Sequence, residues 1–555
     1  MTNKPWLDHL TIGQVLNTIS DRFPDHDALV FPAAQYRSSY NEFRTNVDAT
    51  AKGLLALGIN KGDCVGIWAT NVPEWVILQM ASARIGAVMV TINPAYRPFE
   101  LKYVLAQSDV KALFLIDHFK TSDYFGIFDE VCPESAKSEP GGLNSPTFPK
   151  LRWVISLRGK TPRGMISWIT MLAKGSEISD EVLNESAEKP QASDRINIQY
   201  TSGTTGFPKA AMLTHRNILL NAFYTSGNQG FTENDRVCIP VPFYHCFGCV
   251  LGVLGAMVRG AAMIVPAEYF SSTATLDAIE HEGATAIYGV PTMFVSMLED
   301  STFASRNLSS LRTGIMAGAP CLIEIMNRVI NDMGAHQITI GYGLTEASPV
   351  FTQTRIDDPV EVRVNTVGSP IPDVEVKIID PKSGKELGDD EQGEICVRGH
   401  VVMQGYYKDP EGTEQTIDKD GWLHSGDLAL RRKDGNYRIT GRIKDMVIRG
   451  GENIYPREIE EYLFTHPAVE QVSVVGVPDH KFGEELCAWI QLKSGVQATE
   501  DEIRNYCRDM LAHFKIPRYV RIVKSFPQTV SGKIQKFKIR EQMIRELGLS
   551  EVKSN

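Results

Sequence analysis

An α/β fold is predicted for most of this 555-residue chain, and three observations predict it. Short, near-continuous apolar runs recur with helical stretches between them, the pattern of parallel strands covered on both faces. From about residue 355 the pattern changes to short alternating strands separated by Gly- and Asp-bearing turns, as in antiparallel β structure. After Gly441 to Gly451 a distinct segment of about one hundred residues begins, with its own helices and strands. A chain this long exceeds one ordinary core. The expected architecture is therefore a large N-terminal domain of two α/β subdomains with parallel-rich sheets plus a small β-barrel, followed by a small α+β domain.

In chain order, residues 10 to 60 alternate helical patterns with the strand-like Ala28-Leu29-Val30-Phe31. Strands are expected at 64–68, 87–91, 112–116 and 153–155, with helices between them such as 73–85. The Pro/Gly/Ser-rich stretch 133–150 reads as a loop, and 158–192 is polar without clear periodicity. Residues 196–200 read as a strand and 213–223 as a helix. A second strand and helix series runs from 236 to 340, with strands at 262–265, 286–288 and 313–316. The alternating region, a small barrel over about 355–440, has turns at Pro381-Lys382-Ser383-Gly384 and Lys433-Asp434-Gly435-Asn436. In the last segment a helix is expected from Pro456 to Leu463, a strand at 472–477 and a helix at 500–513.

Composition narrows the function classes. A hydrophobic fraction of 43% with 22% charged residues is that of a soluble globular protein. The net charge of −10 and the lack of an arginine-rich tract argue against nucleic acid as a partner. Nine cysteines scattered over the length suggest reduced thiols and a cytoplasmic setting. Cys246 and Cys249 form a C-x-x-C, but no second pair completes a zinc site. The N-terminal stretch reads as neither signal nor transit peptide, and the C-terminal residues are not a peroxisomal address. The one candidate span, 246–265, is broken by Arg259-Gly260 and reads as a buried helix and a strand, so no membrane span is expected. Peripheral contact with a membrane surface stays compatible with the sequence.

The first motif is Thr201-Ser202-Gly203-Thr204-Thr205-Gly206-Phe207-Pro208-Lys209. It gathers hydroxyls, backbone N–H groups and one ammonium into one short loop, the donor set that polyphosphate oxygens need. It is not a P-loop of the GxxxxGK[ST] form, because Lys209 follows Pro208 and Ala210 stands where Ser or Thr would. A plain Ser/Thr/Gly surface loop has the same composition. The expected strand before it and helix after it favour a ligand site.

Tyr200 through His215, YTSGTTGFPKAAMLTH, closely resembles the signature loop of the acyl-adenylate-forming superfamily, which holds acyl-CoA synthetases, adenylation domains of peptide synthetases and beetle luciferases. Matching motifs extend the likeness from about residue 25 to about residue 545. The resemblance implies that Thr201, Ser202, Gly203, Thr204, Thr205, Gly206 and Lys209 clasp the phosphates of ATP, with Thr204 beside a Mg²⁺ ion.

Further stretches carry chemistry. The loop GYGLTEASP, 341–349, sets a tyrosine, a threonine and a carboxylate within five residues, able to stack a base, touch a phosphate and hold Mg²⁺. By resemblance Tyr342 packs on adenine beside Gly343, Thr345 contacts the α-phosphate and Glu346 is the Mg²⁺ ligand. Gly318, Ala319 and Pro320 resemble the loop along the adenine edge. In PFYHCFG, 242–248, His245 lines the carboxylate site by resemblance. It is assigned positioning rather than base catalysis, since a carboxylate nucleophile has no proton to lose at neutral pH. A carboxylate accepts both hydroxyls of a ribose well, and the family pattern gives that task to Asp427 with Arg442. Lys444 falls at the family's hinge, which divides the chain into 1–443 and a mobile 444–555. In PQTVSGKIQK, 527–536, Lys533 matches the lysine that bridges the substrate carboxylate and the α-phosphate. Gly450, Gly451 and Glu452 resemble the loop lining a pantetheine tunnel, where adjacent glycines permit close approach of a thin ligand arm.

These likenesses imply an ATP-dependent carboxylic acid:CoA ligase that uses ATP, Mg²⁺ and coenzyme A and releases AMP and pyrophosphate. A medium- to long-chain fatty acid is the expected substrate. Gly343 replaces the tryptophan that fills the acyl pocket of acetate-specific relatives, and Gly248, Gly252 and Gly255 share one helical face that would leave a groove beside Val250 and Leu251. The alternatives are an aryl-acid:CoA ligase, an adenylation enzyme loading a carrier protein, a luciferase-like oxygenase and a nucleotide-binding protein without catalysis. A monomer and a homodimer both fit the sequence.

Overall fold

The computed structural model describes residues 4–201, 208–319, 321, 323–450, 452–508, 510–529 and 533–549. Two compact units emerge, one of Met1–Glu375 with Val397–Leu423, the other of Val376–Cys396 with His424–Asn555.

The first unit is built on two large sheets, as the apolar runs predict. In the eight-stranded sheet the order is Gly405–Tyr406, Lys209–Thr214, Arg195–Thr201, Val88–Thr91, Cys64–Trp68, Val110–Leu115, Trp153–Ser156 and Ile166–Ser167. The six strands from Arg195–Thr201 onward are mutually parallel. Their side chains are buried on both faces, Val65, Ile67, Leu113 and Phe114 completely so, which is why the sequence shows continuous apolar runs rather than alternation. The nine-stranded sheet has a parallel centre that includes Gln337–Gly343, Thr313–Ala317, Ala286–Gly289 and Arg236–Cys238. The polar stretch 158–192 contains the helices Trp168–Gly175 and Asp180–Ala187, capped by Ser167 and Ser179.

One expectation is corrected here. Residues 209–214 form a strand antiparallel to Arg195–Thr201, with Thr201 opposite Lys209, and the helix begins only at His215 and runs to Asn228. Pairing overrode helical propensity because Ala210, Ala211 and Leu213 are wholly buried in the sheet. The residues that flank the phosphate-clasp motif therefore belong to two neighbouring strands rather than to a strand and a helix. Thr201 still lies at the carboxyl end of a parallel strand, the edge where α/β sheets bind ligands.

His215 opens that helix in full burial, its Nδ1 accepting the Ile12 N–H at 3.2 Å. Burial lowers its pKa to about 3. A base whose folded pKa lies below the unfolded value near 6.5 takes up protons on unfolding, so stability is lost as pH falls from about 6.5 towards 3. His215 is expected to steepen acid destabilisation by up to about 1.4 kcal/mol per pH unit in that window. Denaturant unfolding of His215→Gln should show a shallower pH dependence than the parent; equal slopes would discount the buried imidazole.

In the second unit, Val374–Ile379, Gly393–Gly399, Leu423–Arg431 and Tyr437–Arg442 follow one another in a four-stranded sheet within the region expected as a barrel. A second sheet centres on the long hairpin Val469–Asp479 and Gly483–Leu492. Alternation along its strands feeds two cores. Val472, Val474 and Ile490 pack with Ile459 and Leu463 of the helix Pro456–Leu463, whereas Val475, Val477 and Trp489 pack with Ile539 and Met543 of the helix Lys536–Leu547. The helix expected over 500–513 ends at Tyr506.

Candidate active site

The turn that follows Gln337–Gly343 is the centre of the first unit's site. Thr345–Ala347 form one 3₁₀ turn before the strand Val350–Gln353. The helix His215–Asn228 holds this turn from beside it: Asn221 Nδ2 donates to the Val350 carbonyl at 2.6 Å and the Ala347 carbonyl at 3.4 Å. Asn217 of the same helix donates to the His400 and Val402 carbonyls. The 400–403 segment returns the contact, since Met403 N donates to the Glu346 carbonyl at 2.9 Å and Ser348 Oγ donates to the Val401 carbonyl.

Glu346 is 8% exposed. Its Oε1 accepts from Tyr406 Oη at 2.7 Å and from Thr201 Oγ1 at 3.3 Å. Among the described residues no lysine or arginine pairs with it, although an uncompensated buried carboxylate is costly. A hard divalent cation bound by oxygen ligands would answer that charge, so the donor set suits Mg²⁺. Lys209 stands close by, its Nζ 4.7 Å from the centre of the Tyr406 ring. Thr201 and Lys209, at the ends of paired strands of the eight-stranded sheet, are thus brought beside Glu346, 145 residues from Thr201, on the turn after Gln337–Gly343 of the nine-stranded sheet, where Thr345 precedes it. Ser202, Gly203, Thr204, Thr205, Gly206, Pro320 and Gly451 lie outside the described residues.

Tyr342 sets its ring edge-on to Phe351, with centroids 5.1 Å apart. Gly318 and Ala319 are exposed at the end of Thr313–Ala317, Gly318 with φ +87°. His245 Nδ1 accepts the Phe247 N–H at 3.1 Å at the head of the segment Phe247–Leu254, which is wound as a π-helix. π-Turns of this kind concentrate at functional sites. Gln199 occupies both thiols of the C-x-x-C: Cys246 Sγ donates to its Oε1 at 2.9 Å and Cys249 Sγ accepts from its Nε2 at 3.1 Å. Burial holds Cys246 well above its ordinary value and lifts Cys249 to about 12.

Two expectations about the acyl pocket are overturned. A Cβ at Gly343 would sit 1.8 Å from the Pro349 carbonyl oxygen, so this glycine accommodates backbone crowding and opens no space behind the carboxylate. Gly248 and Gly252 likewise face the Pro242 carbonyl at 2.3 Å and Ile239 Cγ2 at 2.7 Å. They let the helix lie against its neighbour and leave no groove, and the π-winding removes the regular 3.6-residue face on which the groove depended.

In the second unit Asp427 and Arg442 are cross-strand partners, with Arg442 Nε 2.8 Å from Asp427 Oδ1. Lys444 is exposed in the 3₁₀ turn Ile443–Asp445. Gly450, at φ +60°, turns the hairpin between Val447–Arg449 and Glu452–Ile454, and Glu452 is exposed on it. Arg449 beside them lies over the Phe482 ring and pairs with Glu485. Lys533 N donates to Thr529 Oγ1 at 3.0 Å, and Thr529 N donates to the Lys533 carbonyl at 2.8 Å.

Sequence reasoning missed Tyr406. It lies 60 residues from Glu346 on the two-residue edge strand Gly405–Tyr406, which pairs with Ala211–Met212, and nothing local to it announces the contact. A hydrogen bond to a buried charge is worth about 1.5–3 kcal/mol. Tyr406→Phe is therefore expected to weaken divalent-cation binding at Glu346 by about 10- to 100-fold. A Mg²⁺ titration of the parent and the variant checks this, and unchanged binding would remove Tyr406 from the candidate site.

This fold, with Thr201 and Lys209 of one sheet set beside the buried carboxylate of Glu346 from the other, defines a nucleotide-binding enzyme of the adenylate-forming class. The chain belongs to the AMP-binding enzyme family: that family's model matches residues 16–407, and the model of the AMP-binding enzyme C-terminal domain matches 458–533. It is 50% identical to the Bacillus subtilis protein named "Putative acyl-CoA synthetase YngI", over 98% of this chain and 99% of that one. It is 41% identical to the medium-chain acyl-CoA ligase ACSF2, mitochondrial, of Bos taurus, over 98% of this chain and 89% of that one. Its fold matches the crystal structure of ATP-bound MatB from Rhodopseudomonas palustris with a TM-score of 0.79 at 27% identity, covering 96% and 99% of the two chains.

Proposed function

We propose that the protein is an AMP-forming acyl-CoA synthetase that joins a medium- to long-chain fatty acid to CoA. The observation that carries this reading is the buried Glu346, held by Thr201 and Tyr406 at the end of a loop whose sequence is the family's phosphate clasp. The relatives' names support acyl-CoA ligation, and medium-chain acids in particular.

A carboxylate is a poor electrophile, and ATP activates it. The carboxylate oxygen attacks the α-phosphorus, the bond to the pyrophosphate oxygen breaks, and a mixed acyl–AMP anhydride forms. The CoA sulfur then attacks the acyl carbon, the bond to AMP breaks, and the thiol proton leaves to solvent. Negative charge accumulates on phosphate oxygens in the first step only, and preorganised cations and hydroxyls are the groups that lower its barrier. Thr201, Lys209 and Thr345, with Thr204 and Thr205, take that task, and Lys533 contributes its ammonium. Glu346, with Thr204 nearby, would hold Mg²⁺, and the ion would supply neutralisation of phosphate charge. Tyr342 packs on adenine beside Gly343, with Gly318, Ala319 and Pro320 along its edge, and Asp427 and Arg442 hold the ribose. His245 positions the acid. Gly450, Gly451 and Glu452 line the path of the pantetheine arm, and Lys444 is the hinge between 1–443 and 444–555.

No described helix is long and apolar enough to cross a membrane. All nine cysteines are free thiols, which supports a reducing, cytoplasmic setting.

The test is CoA-dependent AMP formation over a series of straight-chain and aryl acids. Each methylene buried is worth about 0.8 kcal/mol, so kcat/KM should climb severalfold per two carbons until the pocket ends. Preference for acetate or for benzoate would reject the fatty-acid reading. Adenylation without CoA dependence would reassign the chain to loading a carrier protein.

A further inference from the structure

Away from the nucleotide loops, the adjacent strands Gly393–Gly399 and Leu423–Arg431 bring a carboxylate, a thiol and an imidazole together. Glu394 and Cys396 are two residues apart on one strand, so alternation sets both on the same face. His424 is the second residue of the neighbouring strand. Its Nδ1 lies 3.0 Å from Glu394 Oε2 and 3.6 Å from Cys396 Sγ. All three donor atoms fall within 4.8 Å of one another. Cys396 is fully buried and Glu394 nearly so, whereas the His424 side chain is 30% exposed. The cluster therefore has a closed floor and one side open to water.

The 3.6 Å Nδ1–Sγ separation is that of a metal polyhedron's edge, and the 3.0 Å Nδ1–Oε2 separation would widen by about 0.3 Å on binding. A tetrahedral Zn²⁺ with nitrogen and oxygen donors at about 2.0–2.1 Å and sulfur at about 2.3 Å spaces its ligands by about 3.3–3.6 Å. The supporting bonds are already made. Glu394 Oε1 accepts the Gly426 N–H at 2.9 Å, which fixes the carboxylate and turns Oε2 towards the cluster, and Ser425 Oγ donates to the Ile395 carbonyl at 2.6 Å across the same two strands. Outer restraints of this kind orient metal ligands. A mixed sulfur, nitrogen and oxygen set selects zinc-like ions over Mg²⁺ or Ca²⁺.

We propose that Glu394, Cys396 and His424 form a binding site for a thiophilic divalent cation of the Zn²⁺ class, with water completing the shell on the exposed side of His424. On binding, the thiol proton passes to solvent and Sγ bonds the metal. Asp427 lies three residues beyond His424 on the same strand, so the ion would clamp the strand pair from which Asp427 projects.

Co²⁺ is the reporting probe, added to the full-length, chelator-treated protein in a thiol-free reductant. One equivalent should give a thiolate-to-cobalt charge-transfer band and the visible bands of tetrahedral cobalt, and Zn²⁺ should bleach both. Cys396→Ser and His424→Gln should each weaken Co²⁺ binding at least tenfold. Lack of the bands, or the same bands and affinity in both variants, would overturn the site and leave three hydrogen-bonded side chains. If a variant fails to fold, the parent decides: Zn²⁺ should protect Cys396 from slow alkylation as mapped by peptide mass, with Cys246 and Cys249 as references. Alkylation of Cys396 at an unchanged rate in saturating Zn²⁺ would equally overturn it. None of these readouts depends on catalysis, so they stand apart from the proposed ligase activity.

Discussion

Lys533→Ala is expected to slow acyl-adenylate formation by about 10²–10³-fold while acyl transfer to CoA from a supplied acyl-adenylate continues at close to the parent rate. Only the first step builds charge at a pentavalent phosphorus, so an ammonium aimed there would serve that step alone. The link between Thr529 and residue 533 should survive the change, because its two bonds use the main-chain N–H and carbonyl of residue 533. Gln535 N donates to the Pro527 carbonyl at 2.8 Å and adds a second main-chain link beside it. Single-turnover assays of the two half-reactions measure the effect. Equal loss in both would mean that Lys533 supports the fold or CoA binding and has no selective part in adenylation.

Glu346→Gln should cost a similar factor in pyrophosphate exchange, about 10²–10³, together with a marked rise in the Mg²⁺ needed for half-maximal rate. The amide keeps the shape of the carboxylate and an oxygen that still accepts from Tyr406 and Thr201. What it lacks is the full negative charge that a hard cation needs. Comparison with Tyr406→Phe separates the two contributions: the tyrosine variant keeps the charge and loosens its aim, whereas the glutamine variant keeps the aim and removes the charge. A Glu346→Gln enzyme with the parent's Mg²⁺ curve would show that the ion is held elsewhere.

Much of the architecture was legible because the parallel strands bury both faces and so announce themselves as unbroken apolar runs, as at 64–68 and 112–116. Pro73–Ile85 and Pro456–Leu463 were readable to the residue, each opened by a proline at its first position. The strand at 209–214 was not, since Lys-Ala-Ala-Met-Leu-Thr is a good helical sequence and only its partners Arg195–Thr201 and Gly405–Tyr406 make it extended. In the site, Glu346 and Thr201 could be named because each sits in a motif with its own chemistry. Their contact with Tyr406, and the tie of Gln199 to two cysteines 47 and 50 residues away, are tertiary facts without a local signature. The glycines misled for a related reason. A missing side chain reads the same in sequence whether it makes room for a ligand or for the protein's own backbone.

The tight approach of the Pro349 carbonyl to Gly343 has a practical corollary for anyone redesigning the enzyme's diet. Position 343 is closed to selection as a dial for acid size, since even the smallest side chain would have to push the following strand aside before meeting any substrate. Libraries aimed at shorter or bulkier acids should therefore hold residue 343 constant and vary side chains elsewhere in the first unit. Gains would then be traceable to contact with the acid instead of to a refolded turn under Thr345 and Glu346.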